Sequence, residues 1–335
     1  MLYGQETCDR KVSKIVSNHK RARILSVGTY VPENFITNKD LEKFLNTTDE
    51  WIVTRTGIRS RHIVPSDQNI PASQLGANAA KIALERSGLE PKDIDGIVCA
   101  TFTPDSFFPS TACRIQSLLG CTNAFAFDVS AACAGFVYAL TIANGLILSG
   151  SNKNVLVIGA EVISKALDWT DRSTCVLFGD GAGAVVLQGS QETDKGIIST
   201  YLQSDGNLGD ILMLPAWGEK RTMQMKGNEV FKHAVRMMTD ASMKVLSESG
   251  YKLDQIDYLV PHQANIRIIQ AVAQHLNLPK QKIVTNLERY GNTSSASIPL
   301  ALEEVWSKGF IKEGTKVLFT ALGGGITAGS ALVNF

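Results

Sequence analysis

Residues 87–98 read SGLEPKDIDGIV, and residues 249–260 read SGYKLDQIDYLV. The two stretches lie 162 residues apart, Ser87 falling on Ser249. The same offset carries Val155 of NVLVIGA onto Val317 of KVLFTAL. It also carries Cys133 of CAGFVYAL onto Ser295 of SASIPLAL. Three separated segments agreeing on one offset predict a duplicated unit, about 23–190 and 191–335, packed as a pseudo-symmetric pair. From residue 23 the pattern runs strand, helix, strand (RILSVGTYVP, LEKFLNTTDEWIVTRTG, DGIVCATF), which is the pattern of an α/β protein.

Composition bounds the function. With 335 residues, 44% of them apolar, the chain can bury one large core or two fused ones. Lys and Arg number 33 against 32 Asp and Glu, so no polyanion-binding surface is indicated and nucleic acid is not an expected partner. No run of 18 apolar residues marks a membrane span. The six cysteines (Cys8, Cys99, Cys113, Cys121, Cys133, Cys175) form no CxxC pair, which argues for a reducing cytoplasm and against a zinc site or disulfide framework. Residues 1–22 are polar and basic, lack the apolar core of a signal peptide, and read as an extension of unknown role.

In each copy a strand (AFAFDVS; KIVTNLERY) runs into a small-residue turn and an apolar helix. The first copy places Cys133 there and the second Ser295, near Asn292, so one corner has diverged between the halves. At a helix N-terminus, unpaired N–H groups and the dipole favour a thiolate, and small neighbours leave the sulfur open to a long substrate. A packed core cysteine explains the same residue equally well. Cys99, Cys113 and Cys175 sit in apolar patterns and read as packing residues. His262 follows the strand YLVP at its C-terminal end, where α/β sheets place ligands, although a lone histidine is more often structural. His19, His62, His233 and His275 have weaker surroundings. Asn292, in YGNTSSASIP, reads by itself as a helix cap. GDGAG precedes a strand, not a helix, and so is a poor phosphate loop.

Taken together, SAACAGF, VPHQANIRI, RYGNTSSASIP, FGDGAGAVVL, LGGGITAGSALV and TTDEWIVTRTGIRSRHI resemble the thiolase-like condensing enzymes over residues 23–335. The resemblance is to the β-ketoacyl-acyl carrier protein synthase III family, the initiating condensing enzymes of fatty-acid synthesis. It implies a five-layered αβαβα core and an acyltransferase joining an acyl-CoA primer, with acetyl the expected group, to malonyl-acyl carrier protein through an acyl-cysteine. The implied catalytic set is Cys133, His262 and Asn292, with an oxyanion hole at the Cys133 and Gly324 amides. An Asn at 292 distinguishes initiating enzymes from elongating ones, which place a second histidine in that role.

The resemblance further implies CoA contacts at Trp51, Arg55, Arg172, Gly227 and Asn265, the adenine stacking between Trp51 and Arg172. Carrier protein would dock on Lys232 and Arg267. Where relatives carry two lysines this chain has Gln274 and His275, which shifts docking towards Lys280 and Lys282. Phe108 would cap the acyl pocket across a homodimer interface, and Leu322, Ile326 and Ala328 stand where larger side chains occur in relatives, leaving longer or branched primers open. No metal or organic cofactor is implied, the CoA thioester being a substrate. The remaining readings are acyl transfer to another acceptor, Cys-His-Asn hydrolysis, and a non-catalytic scaffold.

Overall fold

The computed structural model describes residues 20–335. Cys8, His19 and nearly all of the 1–22 extension lie outside the described residues. In chain order one sheet contains β1 (Arg21–Tyr30), β2 (Gly96–Ala100), β3 (Phe125–Val129), β4 (Asn154–Glu161) and β5 (Gly181–Ser190). Its strands lie side by side as β1-β5-β4-β2-β3. A second sheet contains β6 (Gly196–Ser204), β7 (Tyr258–Pro261), β8 (Lys316–Gly323) and β9 (Thr327–Asn334), in the order β6-β9-β8-β7. β2 and β4 are buried at every residue, as expected of central strands covered on both faces.

The two sheets repeat one topology. β2 pairs parallel with β4, β4 antiparallel with β5, and β5 antiparallel with β1. Likewise β7 pairs parallel with β8, β8 antiparallel with β9, and β9 antiparallel with β6. The 162-residue offset lays β4 onto β8 from end to end. It also lays the 3₁₀ turn Ala132–Ala134 onto the turn Ser294–Ala296. Even a backbone irregularity is repeated: Ala132 (φ 45°) and Ser294 (φ 51°) are both left-handed, a conformation that costs a non-glycine residue energy and is held only by its surroundings.

Helices complete five layers. They are α1 (Asp49–Thr56), α2 (Ala72–Ser87), α3 (Thr111–Leu119), α4 (Gly135–Leu148), α5 (Gly227–Ser249), α6 (Ile266–His275) and α7 (Ser297–Ser307). α2 and α3 cover the outer face of the first sheet, α5 covers the outer face of the second with α6 packed against it, and α4 and α7 lie between the sheets. α4 (GFVYALTIANGLIL) is apolar around most of its circumference, which suits a helix packed between two sheets and exposed only near its C-terminal end, at Gly145. The central cluster joins Phe136 and Leu140 of α4, Ile298 and Leu302 of α7, and Val157 and Phe319 of the facing strands. Phe136 meets Phe319 edge-on at 6.5 Å. Each such side chain contributes about 1.5–3 kcal/mol on burial.

Two readings of the sequence are corrected. KIVTNLERY forms no strand; it makes one bridge, Ile283 to Leu259, and a short helix, Leu287–Tyr290. The Gln263 side chain takes the place of a strand partner there: its amide donates to the Pro261 and Val284 carbonyls and its oxygen accepts from Asn286 N–H. Cys113 is not packed inside but exposed on α3, while Cys99 and Cys175 are buried.

Candidate active site

β3 ends at Val129, and three residues later the chain tightens into the turn carrying Cys133, just before α4. The turn is clamped from the other half. Thr327 donates its hydroxyl to the Ala131 carbonyl at 2.9 Å. Gly323, the last residue of β8, lies so close that a Cβ there would meet Ala131 O at 2.5 Å and Cys133 N at 2.7 Å. Only a residue without a side chain lets the strand approach this closely.

His262 directly follows β7. Its N–H donates to Thr320 O at 2.8 Å, continuing the ladder to β8, and ring Nδ1 lies 2.7 Å from Ser297 Oγ at the start of α7. Asn292 is held beside Gly291, a left-handed glycine (φ 66°) whose Cβ would press on Leu177 O at 2.8 Å. Asn292 N–H donates to Leu177 O, and its Oδ1 accepts from Ser294 N–H at 2.8 Å. The amide NH₂ therefore remains available as a donor. Cys133, His262 and Asn292 line one cavity of about 340 Å³. The structure thus unites three residues whose separate readings were a core thiol, a structural histidine and a cap.

Burial holds both the thiol and the imidazole in their neutral forms. Burial pushes the Cys133 thiol up to about 12; the Ser294 hydroxyl opposes the rise and the Glu161 carboxyl adds to it. Burial also holds the His262 imidazole down at about 3. The expectation that the helix terminus lowers the thiol pKa is corrected: in the free enzyme desolvation outweighs the terminus. A thiol and a neutral imidazole thus line the one cavity at neutral pH.

The same cavity reaches the surface past Trp51, Arg55, Arg172, Gly227, Asn265 and Arg267. The Arg172 guanidinium lies 4.6 Å and that of Arg55 5.2 Å from the Trp51 ring centroid. Trp51 and Arg172 are therefore already in contact. A flat ring between them would need about 3.5–4.0 Å on each side, more than this contact leaves; Arg172 donates to Asn46 O. Asn265 caps α6, accepting from Arg267 N–H and donating to Arg55 O; its side chain is committed to holding the rim. Arg267 sits over Phe231, and Lys232 is exposed on α5. Gln274, His275 and Lys280 are exposed, but the Lys282 ammonium is occupied by the Asp254 and Ile256 carbonyls.

A second cavity, about 400 Å³, also reaches Cys133 and is lined by Gly324, Ala132, Phe102, Leu212 and Met223. Leu322 lines the first cavity. Ile326 and Ala328 are instead fully buried in the cluster beneath α5 and α6 and line neither, so their small size does not widen the site. Phe108, 86% exposed, is not part of its own chain's Cys133 cavities. GDGAG forms a buried knot in which Asp180 accepts from Val64 N–H, Ser164 N–H and Ser164 Oγ. The reading of the sequence missed Ser294, Ser297 and Phe102. For the two serines the available signal was the offset, which pairs them with Ala132 and Gly135.

Comparison with known proteins places the chain in a family. Family models for 3-oxoacyl-[acyl-carrier-protein] synthase III match residues 127–206, and for its C-terminal part residues 246–335. The β-ketoacyl-[acyl-carrier-protein] synthase III of Aquifex aeolicus is 49% identical over 313 residues, covering 93% of this chain and 99% of that protein. That of Ehrlichia canis is 49% identical over 318 residues, covering 94% and 99%. The crystal structure of the Aquifex aeolicus enzyme matches with a TM-score of 0.90, covering 94% of this chain and all of that one. The priming β-ketosynthase of the R1128 polyketide pathway matches at 0.89 with 35% identity, covering 95% of this chain and 97% of that one. Xanthomonas campestris OleA, at 19% identity and 0.84, shares the fold. The chain belongs to the β-ketoacyl-[acyl-carrier-protein] synthase III family of condensing enzymes.

Proposed function

We propose that this enzyme starts fatty-acid synthesis by moving an acyl group, acetyl in the simplest case, from CoA to Cys133 and then condensing it with malonyl-acyl carrier protein. The observation that carries this reading is the shared cavity: a thiol, an imidazole and a carboxamide, 133, 262 and 292 in the chain, line one shaft that opens past Trp51 and Arg172. In the first step the sulfur bonds to the acyl carbon, the acyl–S(CoA) bond breaks, and the thiol proton ends on the CoA sulfur. The amides of Cys133 and Gly324, which line one cavity, would hold the oxyanion. Burial raises the resting thiol, which keeps the proton on the Cys133 sulfur in the free enzyme.

In the second step the malonyl carboxylate departs as CO₂ and its electron pair passes into an enolate. The enolate carbon attacks the acyl-cysteine carbonyl, and the Cys133 sulfur leaves and takes a proton from solvent. His262 and the Asn292 NH₂, both neutral, would donate to the enolate oxygen. Loss of CO₂ generates the carbanion, so no metal or organic cofactor enters the scheme. Arg267 and Lys232 at the rim suit an acidic carrier protein; of the two later lysines, Lys280 has the more available ammonium. A homodimer completes the proposal. β3 is an edge strand with one neighbour, and Phe125, Leu118 and Phe108 nearby are exposed, a surface that proteins usually cover. Phe108 would then reach the partner's acyl pocket. A cytoplasmic setting suits the free thiols.

The test is intact-protein mass after incubation with a panel of acyl-CoAs, followed by CO₂ release from malonyl-carrier protein. A thioester on the Cys133 peptide that is consumed with stoichiometric CO₂ supports condensation. Rapid release of free acid, or acyl transfer without CO₂, refutes it.

A further inference from the structure

Nothing in the reaction so far explains why His262 presents a donor and not a lone pair. We propose that Ser297 is the positioning residue that sets this: its hydroxyl donates to His262 Nδ1 and so fixes the proton on Nε2, the nitrogen left to face the cavity. The inference deepens the role given above to His262 and rests on it.

Ser297 is 1% exposed and lines neither Cys133 cavity, so its hydroxyl has no bulk water to turn to. Among the described hydrogen bonds, Ser297 Oγ has two partners, Gln263 N at 3.4 Å and His262 Nδ1 at 2.7 Å. The backbone N–H can only donate, so it takes a lone pair of the hydroxyl; the hydroxyl's own proton then has Nδ1 as acceptor. The reverse arrangement, Nδ1–H donating to Oγ, leaves the hydroxyl proton without a buried acceptor. It also turns the Nε2 lone pair toward the site, where it could accept the Cys133 proton but could not donate to an oxyanion. Burial that keeps the ring neutral is compatible with either form, so the hydroxyl decides between them.

The duplication supplies an independent observation. The offset of 162 maps His262 onto Ala100 and Ser297 onto Gly135. In the first half those positions also meet: a Cβ on Gly135 would lie 2.9 Å from the Ala100 Cβ. One structural contact therefore carries an apolar pair in one half and a hydrogen-bonded His–Ser pair in the other. The imidazole and the hydroxyl occur together, as expected if each is of use only with the other.

The test is ¹⁵N NMR of the full-length enzyme labelled at histidine, with the His262 ring assigned by its loss in His262→Gln. The expected spectrum has an unprotonated, pyridine-type Nδ1 and a protonated, pyrrole-type Nε2; a protonated Nδ1 overturns the proposal. Ser297→Ala should lower malonyl decarboxylation about tenfold or more, the lower end of the loss seen when the outer partner of a metal-bound imidazole is removed. The KM for malonyl-carrier protein and the rate of Cys133 acylation should stay unchanged, and Ser297→Thr, which keeps the hydroxyl, should recover decarboxylation. A Ser297→Ala enzyme with wild-type decarboxylation and an unaltered ring spectrum overturns the assignment. If Ser297→Ala does not fold, the wild-type spectrum decides. If His262→Gln decarboxylates normally, the role given to His262 fails while the spectrum still decides that of Ser297.

Discussion

Gly323→Ala tests whether the nucleophile's position depends on close approach of the second half. A Cβ at 323 would sit 2.5 Å from Ala131 O and 2.7 Å from Cys133 N, against 3.4 Å or more in ordinary contact. The turn must therefore retreat by about 0.9 Å. Both near atoms are backbone, so no side chain can rotate to absorb the clash. A misplacement of about 1 Å costs on the order of 10²-fold in rate, and overpacking of this kind costs about 1–3 kcal/mol in stability. Acylation of Cys133 by acetyl-CoA, followed by intact mass under single-turnover conditions, should slow by roughly that factor, and the thermal midpoint should fall by several degrees. Gly145→Ala is the control. It lies in α4, the helix that follows the nucleophile, with nothing within 4 Å of the added methyl. It should keep wild-type acylation and gain about 0.5–1 kcal/mol from lost chain freedom. Wild-type acylation and stability in Gly323→Ala would refute the reasoning.

Other expectations follow from the same geometry. His262→Ala and Asn292→Ala should each leave acylation of Cys133 largely intact while cutting CO₂ release from malonyl-carrier protein by about 10²–10³-fold, the usual loss for one oxyanion donor; loss of acylation in His262→Ala would make the imidazole the thiol's base. The depressed His262 pKa has a defined sign. With a folded value of about 3 and an unfolded value near 6.5, its contribution is fully present above pH 6.5 and declines as pH falls from there towards 3. Between pH 6.5 and 5, wild type should lose up to about 1.4 kcal/mol per pH unit relative to His262→Gln, read by urea unfolding of both at each pH; a constant gap between the two would contradict a buried neutral ring. Trp51→Ala removes the face on which Arg172 and Arg55 lie, a contact of about 0.5–2 kcal/mol. The KM for acetyl-CoA should rise several-fold with kcat for an acetyl-pantetheine substrate unchanged; equal effects on both substrates would place Trp51 in packing alone.

The duplication was legible in the chain because strands and turns leave local signals, and the strand β4 falls on β8 at the offset read from NVLVIGA and KVLFTAL. The motifs also named Cys133, His262 and Asn292. They could not show that Cys133 is a neutral thiol. That is set by burial between two halves, and burial depends on which chain segments meet, not on the residues beside the sulfur. Likewise a glycine at 323 reads as a flexible turn, and only packing shows it as the gap into which the turn around Cys133 fits. KIVTNLERY had the apolar content of a strand, yet the Gln263 side chain intercepted its backbone bonds from 21 to 23 residues away.

What the order of residues determined unaided was the doubled α/β architecture and the chemical types at its strand-to-helix corners. Tertiary structure alone decided how those corners are held together, what the imidazole hydrogen-bonds to and how far the thiol is from ionising. These depend on distances of a few ångströms between segments more than a hundred residues apart, where hydrogen bonding and desolvation act and local sequence carries no record of them.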